Sequence, residues 1–268
     1  MQPQPSDKQA SPPTIEVLLH GDTFTTNMGS AGMCSINLIR GQKLTLVDTG
    51  HVGRRSTLLT ALTERGLTPE DIDTVVMTHA HWDHCQNMDL FPNATKLLHV
   101  NEMKYVRNPH RNDWATPRWT GAMMDFLDHV APVEDGYEIE PGIRTMHTPG
   151  HSAGTMCVLV ETADGPSAVA GDMIQNAVAA VNRHNPLVFW SPEEANRSIQ
   201  RVVEQAETIY PGHDRPFRLV GDGFEYLVPK HLSFISVDLD DPGVTASAAP
   251  RPFFVMPDIE EQTIESLG

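Results

Sequence analysis

The segment His79-Ala80-His81-Trp82-Asp83-His84 packs three imidazoles and a carboxylate into six residues. Imidazole nitrogen and carboxylate oxygen together form the donor set of zinc, iron and manganese sites. His79 and His81 are one residue apart and can grip one ion. Asp83 and His84 fall on the other side of the turn and can grip a second. A loop that is merely His-rich would need no partners, yet partners recur downstream. His151 ends Thr148-Pro149-Gly150-His151, Asp172 ends Val169-Ala170-Gly171-Asp172, and His213 ends Tyr210-Pro211-Gly212-His213. Each sets one ligand-type side chain just past an apolar run, with a glycine beside it for a tight turn. Two ions on such ligands, with positions left open for water, make a hydrolytic centre.

The apolar runs must be the elements that position these groups. Residues 74–78 read as a buried strand, which puts the His cluster on the loop at its end. Residues 137–147, 155–160 and 167–170 read as strands, as does the run leading to His213. Residues 14–20, 33–40 and 43–47 are also predicted strands, the last two joined by a Gly41-Gln42 turn. The polar, small-residue stretch 22–32 is expected as a loop over the site. Leu58, Leu59 and Leu62 mark one face of a helix over 54–65. Thr68-Pro69-Glu70-Asp71 predicts a short capped helix. Residues 85–90 start another short helix, and strand 96–100 leads into helix 101–106. Met123, Phe126 and Leu127 give 121–129 a helical apolar face, read as core. Residues 171–190 are expected as a long loop. The capping box at Ser191-Pro192-Glu193-Glu194 opens a helix to about 207 with Ile199, Val202, Val203 and Ala206 inward.

The full set, His-x-His-x-Asp-His followed by a separate His, an Asp and a last His, resembles the metallo-β-lactamase fold superfamily. The resemblance covers about residues 14–220. It implies an α/β fold, an αββα four-layer sandwich of two mixed β-sheets with outer helices. It also implies His79, His81 and His151 on a first metal, Asp83, His84 and His213 on a second, and Asp172 bridging them. Asp83 would in addition handle a proton as the catalytic residue. Two zinc ions are the expected cofactors, because His81 stands where flavo-diiron relatives use Glu; iron or manganese suits the same donors. Asp48, in Val47-Asp48-Thr49-Gly50, occupies a place common in the superfamily, where it can orient a ligand histidine, cap the next helix, or both.

Class B β-lactamases use Cys or Ser at the bridging position, so Asp172 argues against β-lactam hydrolysis. The intervals from His84 to His151, to Asp172 and to His213 resemble those of N-acyl homoserine lactonases and related lactone and ester hydrolases. Those lactonases often carry Tyr three residues past the bridging Asp. Here Gln175 stands there, able to donate a hydrogen bond but not to act as a phenol. A second resemblance, carried by Asn87 to Asn93 and by Pro211-Gly212-His213-Asp214-Arg215-Pro216-Phe217-Arg218, is to the metallo-β-lactamase domain-containing protein 1 group. In that group a nuclease activity on RNA has been described for an animal member. Glyoxalase II usually has Gly-Gly after its metal loop, where this chain has Gln86-Asn87. The expected reaction is hydrolysis of a small lactone or carboxylic ester by a water activated between two metals. A phosphodiesterase or nuclease-like hydrolase and a glyoxalase II-like thioesterase are the alternatives, with a metal-bound scaffold below them. Trp82, Trp114, Met173, Gln175, His184 and Phe189, with the aromatic, Pro-rich stretch 107–120, are the expected substrate-binding residues.

A chain of 268 residues is long enough for a sizeable core, and its net charge of −16 works against binding a phosphate backbone. No nucleic-acid partner is expected. Cys34, Cys85 and Cys157 have neither zinc-ribbon spacing nor the look of a disulfide framework. The N-terminus lacks a signal-peptide pattern, and no apolar run reaches the length of about 18 residues that a membrane helix needs. A cytoplasmic protein is the default expectation. The expected layout is a disordered arm at 1–13, a metallo-hydrolase domain at 14–220, and an extension at 221–268. That extension docks on the domain or on a second copy, which leaves a homodimer open.

Overall fold

The computed structural model describes residues 11–233 and, beyond them, 238, 240, 241, 243, 245, 254, 255, 259 and 262–267. Most of the expected arm therefore lies outside the described residues. Pro13, its last residue, is buried.

The first half of the chain runs β1 (Thr14–Leu19), β2 (Asp22–Thr26), β3 (Gly29–Met33), β4 (Ile36–Arg40), β5 (Leu44–Val47), α1 (Arg55–Thr63), β6 (Thr74–Val76), α2 (Trp82–Cys85), β7 (Thr95–His99), α3 (Val100–Tyr105), α4 (Thr120–Phe126) and β8 (Val130–Val133). The second half runs β9 (Glu138–Glu140), β10 (Ile143–His147), β11 (Met156–Thr162), β12 (Gly165–Gly171), α5 (Ala177–Asn182), β13 (Leu187–Val188), α6 (Pro192–Gln205), β14 (Thr208–Pro211), β15 (Phe217–Val220), β16 (Gly223–Tyr226) and β17 (Phe254–Val255).

Two mixed sheets result, one in the order β1-β4-β5-β6-β7-β8 and the other β16-β15-β14-β12-β11-β10-β9. Side-chain alternation along the strands makes the layers. Ile39, Val47, Val76 and Leu97 of the first sheet pack on Met156, Val158, Val160 and Val169 of the second. Their sequence neighbours face outward: Leu38, Leu46 and Val75 meet Leu58 and Leu62 of α1. On the other side Leu159, Ala168 and Ala170 meet Ile199 and Val202 of α6. The order of layers is helix, sheet, sheet, helix, as expected. Glu140 ties the sheets at one edge by accepting the N–H groups of Gln42 and Lys43, at 2.8 and 3.0 Å.

Several expected elements differ. Residues 22–33 form a two-stranded hairpin, β2 with β3, in place of a loop. Its side chains are half-buried or exposed along both strands, so no apolar alternation marks it. The expected strand over 137–147 is broken at Pro141-Gly142, where Gly142 has a positive φ of 84°. Inside the expected 171–190 loop lies α5, capped by the Asn176 side chain on the Ala179 N–H. On α4 the buried residues are Thr120, Gly121 and Met124; Phe126, read as core, is 88% exposed because the helix ends on it. The second sheet also runs past the expected boundary at 220, through the β15–β16 hairpin. No helix among the described residues is long and apolar enough to cross a membrane.

Candidate metal centre

Four strand ends converge. β6 delivers His79 and His81 on its exit loop and Asp83 and His84 on α2. β10 delivers His151, β12 delivers Asp172, and β14 delivers His213. Two glycines make the approach close. Gly171 sits at φ 51°, and a Cβ there would fall 2.6 Å from the Thr78 side chain. A Cβ on Gly212 would collide with Asp172 Oδ1 itself. A side chain at Gly171 would push on Thr78, and one at Gly212 would displace the carboxylate.

The donor atoms of His79, His81 and His151 lie within 4.8 Å of one another, as do those of Asp83, His84 and His213. Asp172 stands between the two groups. Its Oδ1 is 3.2 Å from His84 Nε2 and 3.1 Å from His213 Nε2, and its Oδ2 is 3.5 Å from His151 Nε2. All seven side chains are buried or nearly so. Yet among the described residues His79 Nε2, His84 Nε2 and Asp172 Oδ1 make no hydrogen bond. Buried polar atoms are normally paired. Atoms that point past one another at a shared centre are what a ligand shell looks like, so the residues fit divalent ions. A further grouping, Cys34 with Asp48 and His84, is not a ligand set of this kind. Burial raises the Cys34 thiol far above its ordinary pKa, and Asp48 is already bonded to His84.

Ligand orientation is set from behind. Asp48, at the strained φ of 61°, accepts His84 Nδ1 at 2.8 Å and the Thr78 N–H at 2.8 Å. It caps no helix; His51 takes that role, accepting the Gly53 N–H. His151 Nδ1 donates to Leu187 O at 2.7 Å, and His213 Nδ1 to Asp22 O at 3.2 Å. Glu102, buried on α3, accepts the Ala80 N–H at 2.9 Å, the Ser152 hydroxyl at 2.7 Å and the Gly154 N–H at 2.8 Å. It thus fastens the His79–His81 loop to the His151 loop.

The electrostatics divide in the same way. Burial, reinforced by the neighbouring imidazoles, holds His79 well below the usual imidazole pKa, and burial with His81 takes His151 down to about 3. These rings offer lone pairs. Burial also works against charge on His84 and His213, but Asp172 and Asp83 raise both, drawing positive charge to that side. Asp172 is held well below the carboxylate range; His213 and His84 overcome the effect of its burial.

A pocket opens over the site, lined by Thr23, Ser30 and Gly32 of the hairpin, by Trp82, Trp114 and Leu187, and by Asp83, Asp172 and Gln175. Of the expected substrate-binding residues, Trp82, Trp114 and Gln175 stand in this lining. Gln175 is engaged, its amide donating to Asp172 Oδ2 at 3.0 Å. Met173, His184 and Phe189 are outside it. The turn after Asp172 directs Met173 into the core beside α6, and His184 is exposed on the turn after α5. Phe189 is buried behind the ligands, its ring 4.8 Å from His81 and 5.5 Å from His151. The motif did not reveal Glu102 or Asp113, whose carboxylate faces His81. Asp113 lies in the stretch 107–120 flagged for its aromatics. Glu102 carries no signal beyond being an acid on a short helix after a buried strand.

The family model described as the metallo-beta-lactamase superfamily matches residues 29–213. A Xenopus laevis protein named metallo-beta-lactamase domain-containing protein 1 is 31% identical over 217 residues, 80% of this chain and 84% of that protein. An N-acyl homoserine lactonase of Bacillus thuringiensis is 27% identical over 158 residues, 56% of this chain and 58% of the lactonase. Among solved structures, one described as a probable metal-dependent hydrolase from Staphylococcus aureus superposes with a TM-score of 0.69 at 19% identity, covering 84% of this chain and all (100%) of that one.

Proposed function

The chain belongs to the metallo-beta-lactamase superfamily, and on that premise we propose that it is a metal-dependent hydrolase of a small lactone or carboxylic ester working with two divalent ions. The observation that carries the reading is the place of Asp172, one carboxylate within 3.5 Å of imidazoles from both ligand groups. His79, His81 and His151 would hold one ion, Asp83, His84 and His213 the other, and Asp172 both. Zinc is the first choice on this imidazole-rich set, with iron or manganese suited to the same donors. When bound, such ions ease the ionisation of a water and polarise an acyl oxygen.

The chain's own residues do the rest. Asp83 lines the pocket with Oδ2 3.4 Å from His213 Nε2, placed to take a proton from the attacking water and return it to the leaving alcohol. Gln175 fixes Asp172 through Oδ2 rather than reaching for substrate. Trp82, Trp114 and Leu187 give apolar walls to the substrate's carbon skeleton, and the Thr23 and Ser30 hydroxyls a polar one. Among the described residues no Lys or Arg lines the pocket, which supports an uncharged ester over a phosphodiester chain. Likeness to a lactonase supports the same substrate class.

Proton release by zinc-loaded and metal-stripped protein over lactones, aryl esters, thioesters and phosphodiesters tests this. Metal-dependent acid release from lactones or esters, lost in Asp172→Ala, is the expected result. Turnover of phosphodiesters with silence on every acyl substrate would overturn the substrate class.

A further inference from the structure

His81 is the odd ligand. An imidazole that gives one nitrogen to a metal carries its proton on the other, and whatever that other nitrogen bonds to fixes the tautomer. His84, His151 and His213 have their Nδ1 atoms bonded to Asp48, Leu187 O and Asp22 O, which leaves Nε2 for the centre. His81 is turned the other way. Its Nδ1 is the atom at the centre, 2.9 Å from His151 Nε2. Its Nε2 points away from the centre, is buried, and among the described residues makes no hydrogen bond.

What that nitrogen faces is Asp113 Oδ2, at 3.8 Å. The carboxylate is built in. Oδ1 accepts the N–H groups of Ala115 and Thr116 at 2.8 and 2.9 Å, and Oδ2 accepts the Tyr105 hydroxyl at 2.8 Å. The side chain has no exposed surface. A purely structural Asp in this loop would need only the backbone bonds of Oδ1. Oδ2 is instead held by Tyr105 in the one direction that meets His81.

The same loop makes the wall of the pocket. Trp114, next to Asp113, lines it, and Ala115 O accepts the Trp82 N–H at 3.0 Å. We infer that Asp113 is a positioning residue that selects the Nε2–H tautomer of His81, so presenting Nδ1 to an ion held with His79 and His151, and that its loop sets this ligand and the Trp82–Trp114 wall as one unit. The inference rests on the metal-dependent reading above.

Two measurements test it without turnover. In zinc-loaded wild-type protein, long-range proton–nitrogen correlation of the histidine rings should find the His81 proton on Nε2, shifted downfield by the carboxylate. In Asp113→Asn, chelator competition should show one of two zinc equivalents weakened about 10- to 100-fold, the range for lost outer partners of metal-binding histidines, with the other unchanged. A His81 proton on Nδ1 in the loaded protein, or native affinity for both equivalents in Asp113→Asn, overturns the inference and leaves the hydrolase reading standing. If the wild-type protein binds no zinc at His79, His81 and His151, both fall. The ring measurement needs only the wild-type chain, so it decides even where Asp113→Asn does not fold.

Discussion

At the scale of single residues, Glu102 is the group whose removal should reach the centre without touching it. It is fully buried, and burial raises its pKa against the bonds from Ala80, Ser152 and Gly154. Those three donors come from the two loops that bear His79, His81 and His151. In Glu102→Ala the three lose their acceptor, and each buried donor left unpaired costs about 1–3 kcal/mol. Some will find water, so the expected loss of unfolding free energy is about 3 kcal/mol, read by denaturant titration of metal-stripped protein. Zinc affinity should fall as well, because the loops are no longer tied. Glu102→Gln keeps one acceptor oxygen and should lie between. Unchanged stability in the Ala variant would mean that the carboxylate is incidental. The candidate ligands were legible in the sequence because four of them share one short segment and each of the others directly follows an apolar run and a glycine. Glu102 and Asp113 were not, since each is defined by a contact between segments far apart in sequence.

At the scale of elements, β7 of one sheet and β10 of the other end on His99 and His147, whose rings stack at 3.7 Å with 7° between planes. His99 also caps α3 through the Asn101 N–H, and His147 reaches Ala153 O beside the His151 loop. The stack is therefore a joint between the layers close behind the site. Burial, then the neighbouring His147 ring, takes the His99 pKa down to about 3. The unfolded chain protonates this ring near its ordinary value of about 6.5. Between those two values the unfolded state binds the additional proton, so stability is fully present above about pH 6.5 and is lost as pH falls towards about 3. His99→Asn keeps a capping acceptor and removes the titrating ring. Across that window the metal-stripped variant should lose up to about 1.4 kcal/mol less per pH unit than the parent, measured by thermal or denaturant unfolding. Identical pH slopes would show that the stack opens freely to accept the proton. Sequence reading placed both histidines at or beside strand ends but had no means of pairing them. The strands themselves were legible where apolar residues run or alternate. The β2–β3 hairpin, with no buried face, and the short Ala-rich α5 give no periodicity to read.

At the scale of the whole molecule, the described residues beyond 220 touch the elements that hold the site. β17 pairs in parallel with β13, matching Phe254 to Leu187 and Val255 to Val188, and Leu187 O is the acceptor of His151 Nδ1. Ile259 is fully buried in the core shared by α6 and the second sheet. Gln262 Nε2 donates to Phe189 O at 3.2 Å, and Ile264 and Leu267 pack against Tyr105 and Trp190. Tyr105 in turn bonds Asp113. Sequence reading allowed docking either on the domain or on a second copy, because apolar residues in a Pro-rich stretch do not say what covers them. The contacts above show what covers the described part of the segment: Leu187, Phe189, Tyr105 and Trp190 of the domain. Ile259→Ala should therefore cost about 2–5 kcal/mol, the usual penalty for truncating a buried isoleucine. Because Leu187, Phe189 and Tyr105 all border the first ligand group, the loss should be accompanied by weaker zinc binding at His79, His81 and His151, with less effect at Asp83, His84 and His213. A variant that loses neither stability nor zinc affinity would free the segment from this role and return it to the surface. One destabilised by the full amount, yet binding both ions as the parent does, would make the segment a stabilising clasp on the fold with no hold on the ligands.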